Sequence, residues 1–274
     1  MKTKLWEPSN DDIKYSYLNA FKNNINEKHQ LNLDSFSDIH HWSVTELELF
    51  WKEAASFLNI KFNQEPNQII GNTSMPGTKW FNGASLNYAQ NCLKNRSNNL
   101  AIYEINETGL INTLSWNELY DEVSKWVQFF QSNGITKGDI VAGILPNNLT
   151  AVVAMLGATA LGAVWSSCSP DFGEQGICDR LEQINPKCVI SINDYIYKGK
   201  TIHITNRLNQ IREKLPKTSL WVNISQDDIN SWINSKEIEL YPPSEISFIP
   251  CDFDDPLFIL FSSGTTGKPK CIVH

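Results

Sequence analysis

Cysteine is sparse in this 274-residue chain and arranged for neither a disulfide framework nor a metal. The six thiols (Cys92, Cys168, Cys178, Cys188, Cys251 and Cys271) include no C-x-x-C pair, and the ten-residue steps from Cys168 to Cys188 match no metal-ligand spacing. They read as free thiols of a reducing cytoplasm, which makes Asn-x-Ser/Thr triplets such as Asn95-Arg96-Ser97 incidental. Positive charge is in deficit: 23 Lys and Arg against 30 Asp and Glu give a formal net charge of −7, which argues against a general nucleic-acid binder. No long apolar run occurs. Ala151 to Trp165 is 15 residues with two glycines, too short for a comfortable membrane span and better suited to a buried helix feeding a strand. Met1 to Ser9 carries two lysines but no apolar stretch behind them, so no secretory signal is visible. Internal repeats, low-complexity tracts, G-x-G-x-x-G and H-E-x-x-H are all missing.

What remains is 41% hydrophobic, 11% aromatic and 19% charged, the composition of an ordered protein with one large or two small domains. Residues 1–98 are rich in Trp, Asn and mixed charge and read as an α-rich lead segment. Ser43-Val44-Thr45-Glu46 fits a capping box, and Leu47, Phe50, Trp51, Ala54, Ala55 and Leu58 recur at helical spacing behind it. From Pro66 to Gly83 the sequence is loop-like.

Residues 99–274 alternate strands with helices. Leu100–Ile105 and Leu110–Leu114 predict a hairpin, and Ser115-Trp116-Asn117-Glu118 is a second capping box opening a helix stopped by Gly134. Strands are expected over 139–145, 163–167, 187–192 and 256–261, with helices over 150–161 and 173–184. That alternation predicts an α/β fold of parallel βαβ units. Cys271 to His274 starts an apolar segment that stops at once, so a fragment is expected.

Ser262-Ser263-Gly264-Thr265-Thr266-Gly267-Lys268-Pro269-Lys270 carries the chemistry. Four hydroxyls, two glycines and two lysines follow an apolar strand, and a polyphosphate needs hydroxyl donors, exposed backbone N–H groups and a cation. It is not G-x-x-x-x-G-K-[ST], because Ser262 stands where the first glycine belongs. Gly199-Lys200-Thr201 fails likewise, with Asp194 in that place. A flexible turn remains the alternative on composition alone.

The residues from Phe261 to Lys270 resemble the phosphate loop of the adenylate-forming enzymes, the group of acyl-CoA synthetases, luciferases and peptide-synthetase adenylation domains. Ser37 to Leu58 and Lys79-Trp80-Phe81-Asn82-Gly83-Ala84-Ser85-Leu86-Asn87-Tyr88-Ala89-Gln90-Asn91 are similar to the N-terminal segments of acetyl-CoA-synthetase-like ligases. Leu161 to Gly173 is similar to the acetoacetate-using ligases of that subgroup. The resemblance implies the N-terminal part of a large AMP-binding domain, truncated after the phosphate loop.

It also implies a two-step reaction. A carboxylate, here acetoacetate, attacks the α-phosphate of Mg·ATP to give an acyl-adenylate and pyrophosphate; coenzyme A then displaces AMP. ATP, Mg2+ and coenzyme A are the implied cofactors and a short-chain acid the implied partner, with no nucleic acid and no membrane. Ser262, Ser263, Gly264, Thr265, Thr266, Gly267, Lys268 and Lys270 would bind the ATP phosphates, and Lys198, Gly199 and Lys200 the phosphates of coenzyme A, against the alternative of a solvated turn. No catalytic residue or protein metal ligand is assigned, since the family's catalytic lysine lies beyond His274, and 274 residues alone are expected to be inactive. An acetyl- or propionyl-CoA synthetase and a non-catalytic nucleotide-binding remnant stay open. His41 suggests packing ahead of a helix cap; Trp165 and Ser166 to Ser169 read as the end of a core strand.

Overall fold

The computed structural model describes residues 4–107, 109–225, 229, 232–262 and 267–274. Two compact units divide between Ala84 and Ser85. The compositional change after residue 98 falls later because α5 (Tyr88–Cys92) packs on a helix of the second unit.

The first unit holds α1 (Asn10–Lys14), α2 (Tyr17–His29), α3 (Phe36–Thr45), α4 (Leu47–Phe57) and an antiparallel pair, β1 (Gln68–Asn72) and β2 (Lys79–Asn82). Phe21, Ile25 and Trp42 form its core, with Leu49, Phe50, Ala54 and Phe57 packed against them. The expected helix over 47–58 is present, but its expected cap is not. Ser43 lies in the last turn of α3, where its hydroxyl donates to the His40 carbonyl, and Glu46 leads α4 with no side-chain cap bond. A box starts α3 instead: Ser35 Oγ accepts from Asp38 N, and the Asp38 carboxylate accepts from Ser35 N at 2.8 Å. His41 is exposed on α3 rather than packed. The pair β1–β2 replaces the loop expected past Pro66, a short ribbon whose Asn and Gly residues hid it.

In the second unit β3 (Ser85–Leu86) and α5 precede the hairpin β4 (Leu100–Asn106) and β5 (Gly109–Ser115). Ser115 caps α6 (Trp116–Ser132) by the box read from sequence, with Ser115 N donating to Glu118 Oε2 at 2.8 Å. Then follow β6 (Ile140–Ile144), α7 (Leu149–Ala160), β7 (Val164–Cys168), α8 (Glu174–Ile184), β8 (Cys188–Ser191), the hairpin β9 (Asp194–Tyr197) and β10 (Lys200–His203), and α9 (Thr205–Lys214). The chain closes with β11 (Leu220–Asn223), β12 (Ile233–Asn234), β13 (Cys251–Asp252), β14 (Phe258–Ser262) and β15 (Lys270–Val273).

One sheet of seven strands, in the order β12-β11-β8-β6-β7-β14-β15, carries the core. Every neighbouring pair is parallel except β14 and β15. Its central strands β6 and β8 are apolar and almost wholly buried, as strands covered on both faces must be. Helix α7 packs on α6, and α8 on α9. The strand order reverses at β6, since β7 lies to one side of it and β8 to the other. Open α/β sheets bind ligands at the carboxyl ends of their strands near such a reversal.

Candidate functional site

The hydroxyl- and glycine-rich segment joins β14 to β15. Because β14 runs parallel to β7, with Phe258 opposite Trp165, Ser262 emerges at the same end of the sheet as the carboxyl ends of β6, β7 and β8. Ser262 ends β14 and pairs in register with Lys270, so the two arms of the loop are held side by side. Ser263, Gly264, Thr265 and Thr266 lie outside the described residues. Gly267 has φ +94°, a conformation that favours glycine.

The second arm rests on α8, whose residues sequence reading did not single out. Lys268 Nζ lies 3.2 Å from Asp179 Oδ1, and Gln175 Nε2 donates to the same oxygen at 2.8 Å. The Gln175 amide above all, with the Lys268 charge, outweighs a modest burial and holds the Asp179 carboxyl below its usual range. One turn on, Gln183 Nε2 donates to the Pro269 carbonyl at 2.9 Å, while its Oε1 faces Cys271 Sγ at 3.6 Å. Arg180 covers the Phe172 ring, 4.1 Å from its centroid, and lies 5.9 Å from that of Phe261 on the first arm.

Lys198, Gly199 and Lys200 sit apart from this loop, at the turn of the β9–β10 hairpin. Lys198 and Gly199 have φ of +51° and +71°, and both of their N–H groups donate to the Glu107 carboxylate, at 2.8 and 2.7 Å. Such a turn is an anion-binding concavity, and here a side chain of the β4–β5 hairpin fills it. The two backbone donations, from Gly199 and then Lys198, lower the Glu107 pKa. Nothing in the local sequence pairs Glu107 with residues 91 and 92 positions away.

Trp165 and Ser166 are buried strand residues, as expected; the Ser166 hydroxyl donates to the Ile259 carbonyl at 2.8 Å. His274 pairs through its backbone with Phe258, at the other end of β14 from the loop. All six cysteines are free, and burial pushes the Cys168 thiol up to about 12, which keeps it protonated and inert. Among the described residues no three His, Cys, Asp or Glu side chains gather as a metal site, and no helix is long and apolar enough to cross a membrane.

A doubly wound sheet with a Ser/Thr/Gly/Lys loop at its carboxyl edge defines a nucleotide-binding class, and the comparisons agree. The chain belongs to the AMP-binding enzyme family, whose pattern matches residues 89–274; the acetyl-coenzyme A synthetase N-terminus matches residues 36–92. It is similar to acetoacetyl-CoA synthetase of Macaca fascicularis, 35% identical over 98% of this chain and 42% of that protein. It is also 32% identical to malonamoyl-CoA synthetase vrtB of Penicillium aethiopicum, over 93% of this chain and 38% of that protein. The solved structure of acetoacetyl-CoA synthetase from Streptomyces lividans superposes with a TM-score of 0.92 at 32% identity, covering 99% of this chain and 43% of that one. The chain spans about two-fifths of the length of the relatives it matches.

Proposed function

We propose that this protein is an ATP-dependent, AMP-forming acid–CoA ligase acting on acetoacetate. The observation that carries the reading is the position of the 262–270 loop, between β14 and β15 at the carboxyl end of the parallel strands. Its support is the likeness to proteins named acetoacetyl-CoA synthetase over nearly the whole chain.

Attack of a carboxylate on a phosphate brings two anions together, so the site must supply positive charge and orientation rather than a nucleophile. The hydroxyls of Ser262, Ser263, Thr265 and Thr266 donate to the phosphate oxygens. Gly264 and Gly267 allow backbone N–H groups to approach, and positive charge on the loop offsets the negative charge of the departing pyrophosphate. Magnesium enters with the nucleotide as part of the substrate.

Coenzyme A then takes the acyl group, its phosphates met by Lys198 and Lys200. The backbone donors of that turn are already engaged by Glu107, so the ammonium groups act alone unless the carboxylate leaves.

A second reading comes from the malonamoyl-CoA synthetase relative. Malonamate and acetoacetate share a carboxylate, a methylene and a carbonyl at the third carbon, and differ only in NH2 against CH3 at the far end. The substrate class is then the short 3-oxo acid.

Acid-dependent ATP–pyrophosphate exchange, run on the 274-residue chain and on any longer product of its reading frame, tests both readings. Exchange with acetoacetate well above acetate and propionate supports the ligase. Equal or greater exchange with malonamate moves the substrate to the second reading, and preference for acetate overturns both. No exchange from any folded product leaves a non-catalytic nucleotide-binding remnant.

A further inference from the structure

Gln175, Asp179 and Gln183 stand four residues apart on α8, one polar stripe along the helix. Asp179 takes Lys268, and Gln183 takes both the Pro269 carbonyl and the Cys271 thiol, so three of the four residues after Gly267 are fastened to this one helix face. Asp179 is itself held by Gln175, and its side chain is only 18% exposed, so the carboxylate is set in place before Lys268 arrives. The two lysines of the loop are therefore not equivalent. Lys268 has its ammonium committed to a carboxylate 89 positions earlier in the chain, whereas Lys270, at the exposed start of β15, makes no ion pair among the described residues.

We propose that the α8 stripe is the seat of the loop's second arm, residues 267–271, and that Lys268 anchors this arm to Asp179 instead of touching the polyphosphate, leaving Lys270 as the cation. This rests on reading residues 262–270 as a polyphosphate site. Asp179 and Gln183 are then positioning residues. They hold the second arm in the bound geometry beforehand, so less ordering is left for the ligand to impose. A lysine recruited to phosphate would first have to break its pair with Asp179, and its net contribution would fall by the strength of that pair.

The test is the affinity of the 274-residue chain for inorganic tripolyphosphate, measured by calorimetry, with unfolding midpoints taken alongside. D179N weakens binding about threefold, the scale of one partly exposed ion pair. K268D, which sets two carboxylates against each other, weakens it roughly tenfold, as does K270M through loss of a charged donor. The charge swap D179K/K268D restores the affinity to about twofold of the parent, because an anchor works in either polarity while a phosphate ligand does not. A swap that stays as weak as K268D overturns the proposal, and so does tighter binding by D179N, which would mean that a freed Lys268 turns to phosphate. If the parent chain does not bind tripolyphosphate, the polyphosphate reading falls, and amide exchange of residues 267–271 decides the anchor. Exchange accelerated in D179N and slowed again in the swap supports it; exchange unchanged in D179N overturns it.

Discussion

The side-chain amide of Asn87 donates at 2.8 Å to the carbonyl of Ile249, 162 positions further along the chain. The same nitrogen reaches the carbonyls of Thr159 and Ala160 at the end of α7, at 2.9 and 3.0 Å, and Asn87 Oδ1 caps α5 by accepting from Gln90 N at 3.0 Å. Asn87 is wholly buried. N87A takes the amide donor from the Ile249 carbonyl and the cap from α5, while the Thr159 and Ala160 carbonyls keep the N–H groups of Gly162 and Ile249, and should cost about 2 kcal/mol in urea unfolding. N87D should cost more than N87A, because it keeps the cap but turns a carboxylate toward three carbonyl oxygens.

Gly157 marks where α7 crosses α6: a Cβ there would lie 2.9 Å from Trp126 Cβ. G157A gains up to ~1 kcal/mol of helix propensity, yet overpacking of roughly 1–3 kcal/mol outweighs it and the variant should be less stable. Gly176 in α8 is the control, since its added Cβ meets nothing closer than 3.5 Å, and G176A should stabilise by about 0.5–1 kcal/mol. Thermal unfolding of both variants checks the opposite signs.

Asp139 accepts from Lys187 Nζ at 2.7 Å and from Thr136 N at 2.8 Å. Burial opposes its charge, but Lys187 and Thr136 outweigh the burial and hold its pKa below the ordinary carboxylate value. The folded pKa lies under the unfolded one of about 3.9, so this stabilisation is complete above that pH and is lost as pH falls through the folded value. D139N should therefore be less stable than the parent at neutral pH. Denaturant unfolding at stepped pH should show the difference closing below about pH 4.

Glu107 ties the β4–β5 hairpin to the turn of β9–β10 through two backbone N–H groups. In E107A the amides of Lys198 and Gly199 should exchange markedly faster with solvent while the sheet core keeps its protection. Hydrogen exchange read by NMR checks this, and an unchanged rate at both amides would show that the tether is not held in solution.

Local chemistry explains which features could be read in advance. The Ser115–Glu118 box is complete within four residues, and its helix starts where the spacing says. The similar string at Ser43–Glu46 misleads because a Ser-x-x-Glu pattern inside a helix has its N–H groups already bonded, leaving the serine only the His40 carbonyl. Glu53 sits inward on α4 although its type belongs on the surface, since Lys28 bonds its carboxylate at 2.8 and 3.0 Å.

The sequence by itself determined the α/β class, the strand and helix alternation past residue 99, and the loop from Ser262 to Lys270, because periodicity, caps and loop composition are properties of neighbouring residues. Only the tertiary structure decided that β14 lies beside β7, that Asp179 takes Lys268, and that Glu107 fills the Lys198–Gly199 turn. Each joins residues about 90 positions apart. Which of many similar carboxylates meets a given lysine or amide follows from how helices pack on a sheet, and no local pattern encodes it.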